Sequence, residues 1–112
     1  MTGSSSGIGE QVARRLAGLG ASVIVNSSSS VAAGRRIAAE LGGDSLYVQA
    51  DFSDGDQAHR MVDAVVERFG GLDVLVNNAG WTTLTDCRDL DAHRLTRSSA
   101  ERLTSTCGAL GL

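Results

Sequence analysis

Apolar positions in the first part of the chain alternate between two periods. Ile8, Val12, Leu16 and Leu19 recur at spacings of four and three, which marks one face of a helix, and Gly20 ends the run. Ala21 to Asn26 is then short and largely apolar around the β-branched Val23, Ile24 and Val25, which predicts a strand. Ala33, Ile37 and Leu41 predict a second helix, stopped by Gly42-Gly43, and Leu46-Tyr47-Val48 predicts a second strand. Met61, Val62, Val65, Val66 and Phe69 form a third helical stripe closed by Gly70-Gly71, and Leu72 to Val76 reads as a third strand.

Helices and strands alternating at this spacing imply βαβ units, in which a parallel sheet is covered by helices on both faces. The predicted fold is therefore α/β. Val, Ile, Phe and Met run through Met1 to Val76 and do not occur from Asn77 to Leu112. The predicted organisation is a folded unit over residues 1–80 followed by an irregular tail over 81–112, without internal repeats.

Composition narrows the partners. With 13 acidic and 10 basic residues and a net charge of −3, the chain has no basic patch for nucleic acid or an anionic membrane surface. Its apolar runs are far shorter than the ~20 residues of a membrane span. No basic flank with an apolar run opens the sequence, and the expected location is the cytoplasm. The cysteines, Cys87 and Cys107, suit reduced thiols better than a disulfide. Cys87, Asp89, Asp91 and His93 alternate like metal ligands but match no zinc spacing, and no metal is expected. His59, beside the third helical stripe, is expected at the surface with no role.

Candidate chemistry gathers at the predicted carboxyl ends of the strands, where parallel α/β sheets place their ligand crevice. Thr2-Gly3-Ser4-Ser5-Ser6-Gly7-Ile8-Gly9 runs into the first helix. Glycines there let the backbone approach a phosphate, and the unpaired amides of a helix N-terminus attract an anion. Asp51 follows the second strand, where a carboxylate can accept from an adenine amino group, or can instead cap a turn or helix. Asn77-Asn78-Ala79-Gly80 follows the third.

These motifs make the chain resemble the short-chain dehydrogenase/reductase family. Thr2-Gly3-x-x-x-Gly7-Ile8-Gly9 is similar to its glycine motif and Asn77-Asn78-Ala79-Gly80 to its second signature. The resemblance implies a Rossmann-like doubly wound sheet and an NAD(P)-dependent oxidoreductase that moves hydride between a nicotinamide and a carbonyl or alcohol. It implies that Gly3, Ser5, Ser6, Gly7, Ile8 and Gly9 border the pyrophosphate and adenosine ribose, and that Asp51 and Phe52 flank the adenine. Asn78, Ala79 and Gly80 would line the adenosine side and the approach to the nicotinamide ribose, with Asn77 bracing the sheet. Asn26, Ser27 and Ser28 end the first predicted strand, where NAD-preferring enzymes carry an acid for the ribose 2′-hydroxyl. Hydroxyl and amide donors favour NADP over NAD there, although the usual basic residue is missing, and a loop capping the next helix is the plainer alternative.

The family's catalytic serine, tyrosine and lysine have no counterpart. All 10 basic residues are arginine, and the one tyrosine, Tyr47, lies in a strand. No catalytic residue is assigned, and the chain is expected to be inactive as it stands. Only Met1-Thr2 precede Gly3, so the family's first strand is expected to be missing, as a mis-called start would leave it, along with its carboxyl-terminal half. In the neighbouring codon frame, Leu103 to Leu110 allows Asp, Val, Asn, Val, Trp, Gly and Thr, similar to a Val-Asn-x-x-Gly segment of the family. A single frameshift between Gly80 and Arg94 is therefore the expected origin of the tail. The alternatives are a non-catalytic nucleotide-binding or interaction module and a gene remnant that does not fold. Substrate and oligomeric state are not legible.

Overall fold

The structure, a computed structural model, describes residues 1–80. The tail, the Cys87 to His93 alternation and the expected frameshift lie outside the described residues. The elements run α1 (Gly7–Gly18), β1 (Ile24–Ser27), α2 (Val31–Leu41), β2 (Leu46–Gln49) and α3 (Gly55–Phe69). β1 and β2 are parallel, with Ile24 opposite Leu46, Val25 opposite Tyr47, Asn26 opposite Val48 and Ser27 opposite Gln49.

The two-residue period of β1 sorts its side chains to opposite faces. Val23 and Val25 join Ala13 of α1 and Ile37 and Ala38 of α2 in one buried cluster. Ile24 joins Ala50 and Met61 and Val65 of α3 in the other. Helices thus cover both faces of the sheet, and β1 is buried along its whole length, while β2 at the edge is half-buried. Burying a side chain such as Ile37, which is fully covered, contributes about 1.5–3 kcal/mol. Arg14 on α1 joins Glu10 of its own helix and Glu40 of α2. These groups are exposed enough that the link fixes geometry more than it stabilises.

Two predicted features change. Ile8 and Leu19, at the ends of the first helical stripe, are 78% and 68% exposed, and Ala13 takes the buried position. Ile8 stands at the mouth of a cleft and Leu19 is the C-cap residue, so only the middle of the helix meets the sheet. The predicted strand Leu72 to Val76 is not a strand. A strand needs a ladder on at least one edge. Between it and β1 lies only the segment Met1–Ser4, whose Thr2 amide donates to the Val76 carbonyl at 3.1 Å. On its other side that segment meets β1: the Met1 ammonium donates to the Ile24 carbonyl at 3.0 Å and the Ser4 amide to Asn26 at 2.9 Å. The spatial order is therefore β2, β1, Met1–Ser4, then the 72–76 segment, of which only β2 and β1 form the sheet. An apolar groove lined by Met1, Ile24, Met61, Val65 and Val74 opens beside this point. Burial there holds the Met1 ammonium below its ordinary pKa.

Candidate functional site

The site is built on the segment that joins the sheet to α1. Thr2 is buried, and its Oγ1 accepts from the amides of Asn78 at 3.0 Å and Ala79 at 2.9 Å. Asn78 answers with Nδ2, which donates to the Thr2 carbonyl at 3.2 Å and the Gly3 carbonyl at 3.0 Å. Ser4 Oγ donates to the Met1 carbonyl and accepts from the Asn26 amide, both at 2.9 Å. Glycine at position 9 is required by this closeness. A Cβ there would overlap the Gly3 carbonyl oxygen and stand 2.6 Å from Asn78 Nδ2. Bracing by Asn77, implied by the resemblance, is corrected: Asn77 is exposed and Asn78 does the bracing.

Ser6 is the N-cap of α1, yet its side chain makes no capping bond. The first amides of α1 thus have no side-chain cap among the described residues, and the positive end of the helix dipole lies at them. α3 differs, because Asp54 caps it by accepting from the amides of Asp56 at 3.0 Å and Gln57 at 3.4 Å.

At the end of β1 the donors are divided. Asn26 Nδ2 donates to the carbonyls of Val48 at 3.1 Å and Ala50 at 3.2 Å, and its Oδ1 accepts from the Gly3 amide at 3.3 Å. Both amide protons are spent, so Asn26 clamps the glycine segment to β2, and the amide donor expected there for a ligand is not free. The hydroxyls remain. Ser27 Oγ lies 2.8 Å from Tyr47 Oη, and Ser28 is exposed. Ser30 is the N-cap residue of α2 but makes no side-chain capping bond.

Asp51 Oδ1 accepts from the Ser53 amide at 2.9 Å and Ser53 Oγ at 2.7 Å, a turn that holds the carboxylate below its ordinary pKa. The turn-forming reading of Asp51 is realised, and Asp51 also lines the cleft described next.

These segments enclose one open cleft of about 600 Å³, a size in the range of small-molecule sites. It is lined by every residue expected to meet the cofactor except Gly7, with Ser30 and Ser53 added. Gly7 instead supplies backbone, opening α1 with φ 56°. The lining offers hydroxyls, the uncapped amides of α1, the flat apolar side chain of Phe52 and one carboxylate, Asp51. That set fits a long ligand with an anionic centre and a planar polar end. Thr2 and Ser4, which hold the cleft together, were not singled out. The signal for Thr2 was its place immediately before Gly3, and Ser4 gave none. Among the described residues no group of three or more His, Cys, Asp or Glu side chains gathers as for a metal, and His59 is exposed. No helix among them is long and apolar enough to cross a membrane.

Comparison with known proteins follows the same geometry. The sequence profile described as short chain dehydrogenase matches residues 1–108. A putative ketoacyl reductase of granaticin polyketide synthesis from Streptomyces violaceoruber is 55% identical over 92 residues, which cover 82% of this chain and 36% of that one. The 3-oxoacyl-acyl-carrier-protein reductase of Staphylococcus aureus is 44% identical over 85 residues, 73% of this chain and 35% of the relative. The chain thus spans about a third of the length of the curated relatives it matches. A short chain dehydrogenase from Burkholderia cenocepacia in complex with NADP superposes with a TM-score of 0.83 at 33% identity, covering 98% of this chain and 47% of that one. An alcohol dehydrogenase from Thermococcus sibiricus complexed with 5-hydroxy-NADP gives 0.83 at 32% identity, covering 97% and 49%. The two-stranded sheet and its helices are therefore part of a Rossmann-like fold, and the chain belongs to the short-chain dehydrogenase family.

Proposed function

We propose that residues 1–80 form the dinucleotide-binding part of an NAD(P)-dependent oxidoreductase that moves hydride between a nicotinamide and a carbonyl or alcohol. The observation that carries this reading is the uncapped N-terminus of α1, which opens into the same cleft as the serine hydroxyls, Asp51 and Asn78. An anion at that helix end meets oriented amides and the helix dipole, which suits a pyrophosphate. Gly3, Ser5, Ser6, Ile8 and Gly9 would border it, with Gly7 shaping the turn. Asp51 and Phe52 would flank the adenine, and Asn78, Ala79 and Gly80 would lead toward the nicotinamide ribose.

The ribose end favours NADP over NAD. The lining carries no acid at residues 26–28 to hold a 2′-hydroxyl, and the Ser27 and Ser28 hydroxyls suit a 2′-phosphate. Sequence supports binding without turnover, the behaviour of a nucleotide-binding module: the 112 residues contain no lysine, and Tyr47, the only tyrosine, lies in β2 with its hydroxyl against Ser27. A soluble cytoplasmic protein without nucleic-acid partners is the matching setting.

Titrating the full chain with NADPH and NADH, followed by nucleotide fluorescence, tests this. Saturable binding of both, tighter for NADPH, with no nicotinamide oxidation when simple ketones and aldehydes are added, is the expected result. Failure of a folded chain to bind either nucleotide would overturn the reading.

A further inference from the structure

Tyr47 is the one aromatic hydroxyl of the chain, and it sits behind the cleft, with no place among the residues that line it. It stands opposite Val25 in the ladder, packs on the α1 and α2 side of the sheet, and brings Oη to 2.8 Å from Ser27 Oγ. The second contact of Oη, 3.5 Å to the Ser27 carbonyl, is too long for a good O–H···O bond. Gly34, buried on α2, makes room for the ring: a Cβ there would overlap Tyr47 Cδ2 and Cε2. Gly34 thus seats the Tyr47 ring, and the ring brings its hydroxyl to Ser27, which is among the residues that line the cleft.

The pair has two protons and one short bond between its oxygens. A phenol is the stronger acid of the two hydroxyls, so Tyr47 donates and Ser27 accepts. The Ser27 proton is then left for the cleft. Reversing the bond would leave the phenol proton of the half-buried Tyr47 to the 3.5 Å carbonyl contact or to solvent. A serine fixed as donor suits a group that only accepts, such as a phosphate dianion, and gains from the charge of its partner.

We propose that Tyr47 is a positioning residue that fixes the Ser27 hydroxyl as a donor toward the 2′-substituent of the adenosine ribose, and so sets the preference for a 2′-phosphate. The proposal rests on the dinucleotide reading of the cleft. Tyr47 touches no ligand itself and acts through Ser27.

The test is a double-mutant cycle on the full chain with Tyr47→Phe, Ser27→Ala and the pair, each titrated with NADPH and with NADH. Tyr47→Phe keeps the ring seated beside Gly34 and removes only the hydroxyl. NADPH affinity is expected to fall about tenfold in Tyr47→Phe, the scale of one hydrogen bond to a charged group, while NADH affinity changes less than about twofold. In the Ser27→Ala background, Tyr47→Phe is expected to have no further effect on NADPH. Equal losses for both nucleotides, or a loss that persists in the Ser27→Ala background, would show a structural role and overturn the proposal. An unchanged ratio of affinities overturns it as well and leaves the dinucleotide reading standing. Absence of binding by the folded parent chain would remove both together.

Discussion

Thr2 holds two backbone amides of the Asn78-Ala79 segment with one hydroxyl, so the two motifs that mark the family are parts of one hydrogen-bonded unit. Thr2→Val keeps the shape and leaves those amides without a partner. That is expected to cost about 1–3 kcal/mol in chemical denaturation, with Thr2→Ser close to the parent. Gly34→Ala tests a different balance. Alanine improves helix propensity by up to about 1 kcal/mol, but its Cβ must displace the Tyr47 ring, and overpacking of this kind costs about 1–3 kcal/mol. Overpacking wins, and the thermal midpoint is expected to fall; a rise would mean the ring can move freely. At this scale the sequence showed which residues reach the cleft better than what each does there. Gly3 and Gly9 stood out because glycine spacing is visible. Asn26 reads as a free donor until β2 and Gly3 are seen to consume its amide, and long-range bonds of that kind leave no local signature.

The elements differ in how well they are specified. α3 carries its own start signal, Asp54, whose carboxylate is held below its ordinary pKa by its bonds to Gln57 and Asp56. A lowered carboxylate pKa stabilises the fold above the unfolded value of 3.8, and the contribution disappears as pH falls through the lower folded value. The gap in thermal midpoint between the parent and Asp54→Ala is therefore expected to stay constant well above pH 3.8 and to close as pH falls below it, through the lower folded value. A gap unaffected by acid would show that the cap acts without its charge. The cores of α2 and β1 were legible at Ile37, Val23, Ile24 and Val25 because apolar spacing repeats with the element, whereas α1 buries Gly9 and Ala13, which lie outside its apolar stripe. Ile37→Ala is expected to cost about 2–5 kcal/mol, since Ile37 is fully buried. Val74→Ser should change stability by less than about 0.5 kcal/mol, since Val74 is 70% exposed. Similar losses at both sites would mean that the 72–76 segment is paired as a strand. Its apolar run read as a strand because composition reports what a segment could bury, whereas pairing depends on a neighbouring edge, which here is a single Thr2 amide.

For the whole molecule, the two parallel strands place every candidate segment at one end of the sheet, and the cleft follows from topology more than from any one side chain. The doubly wound class was legible from the alternation of periods, because helices on both faces force the strands to be apolar throughout. The most direct measurement is a map of backbone amide shifts in the full chain as NADP is added. Changes are expected at Gly3 to Gly9, Ser27 and Ser28, Asp51 and Phe52, and Asn78 to Gly80. Shifts centred instead on the apolar groove around Met61, Val65 and Val74, or no shifts in a folded chain, would contradict the account.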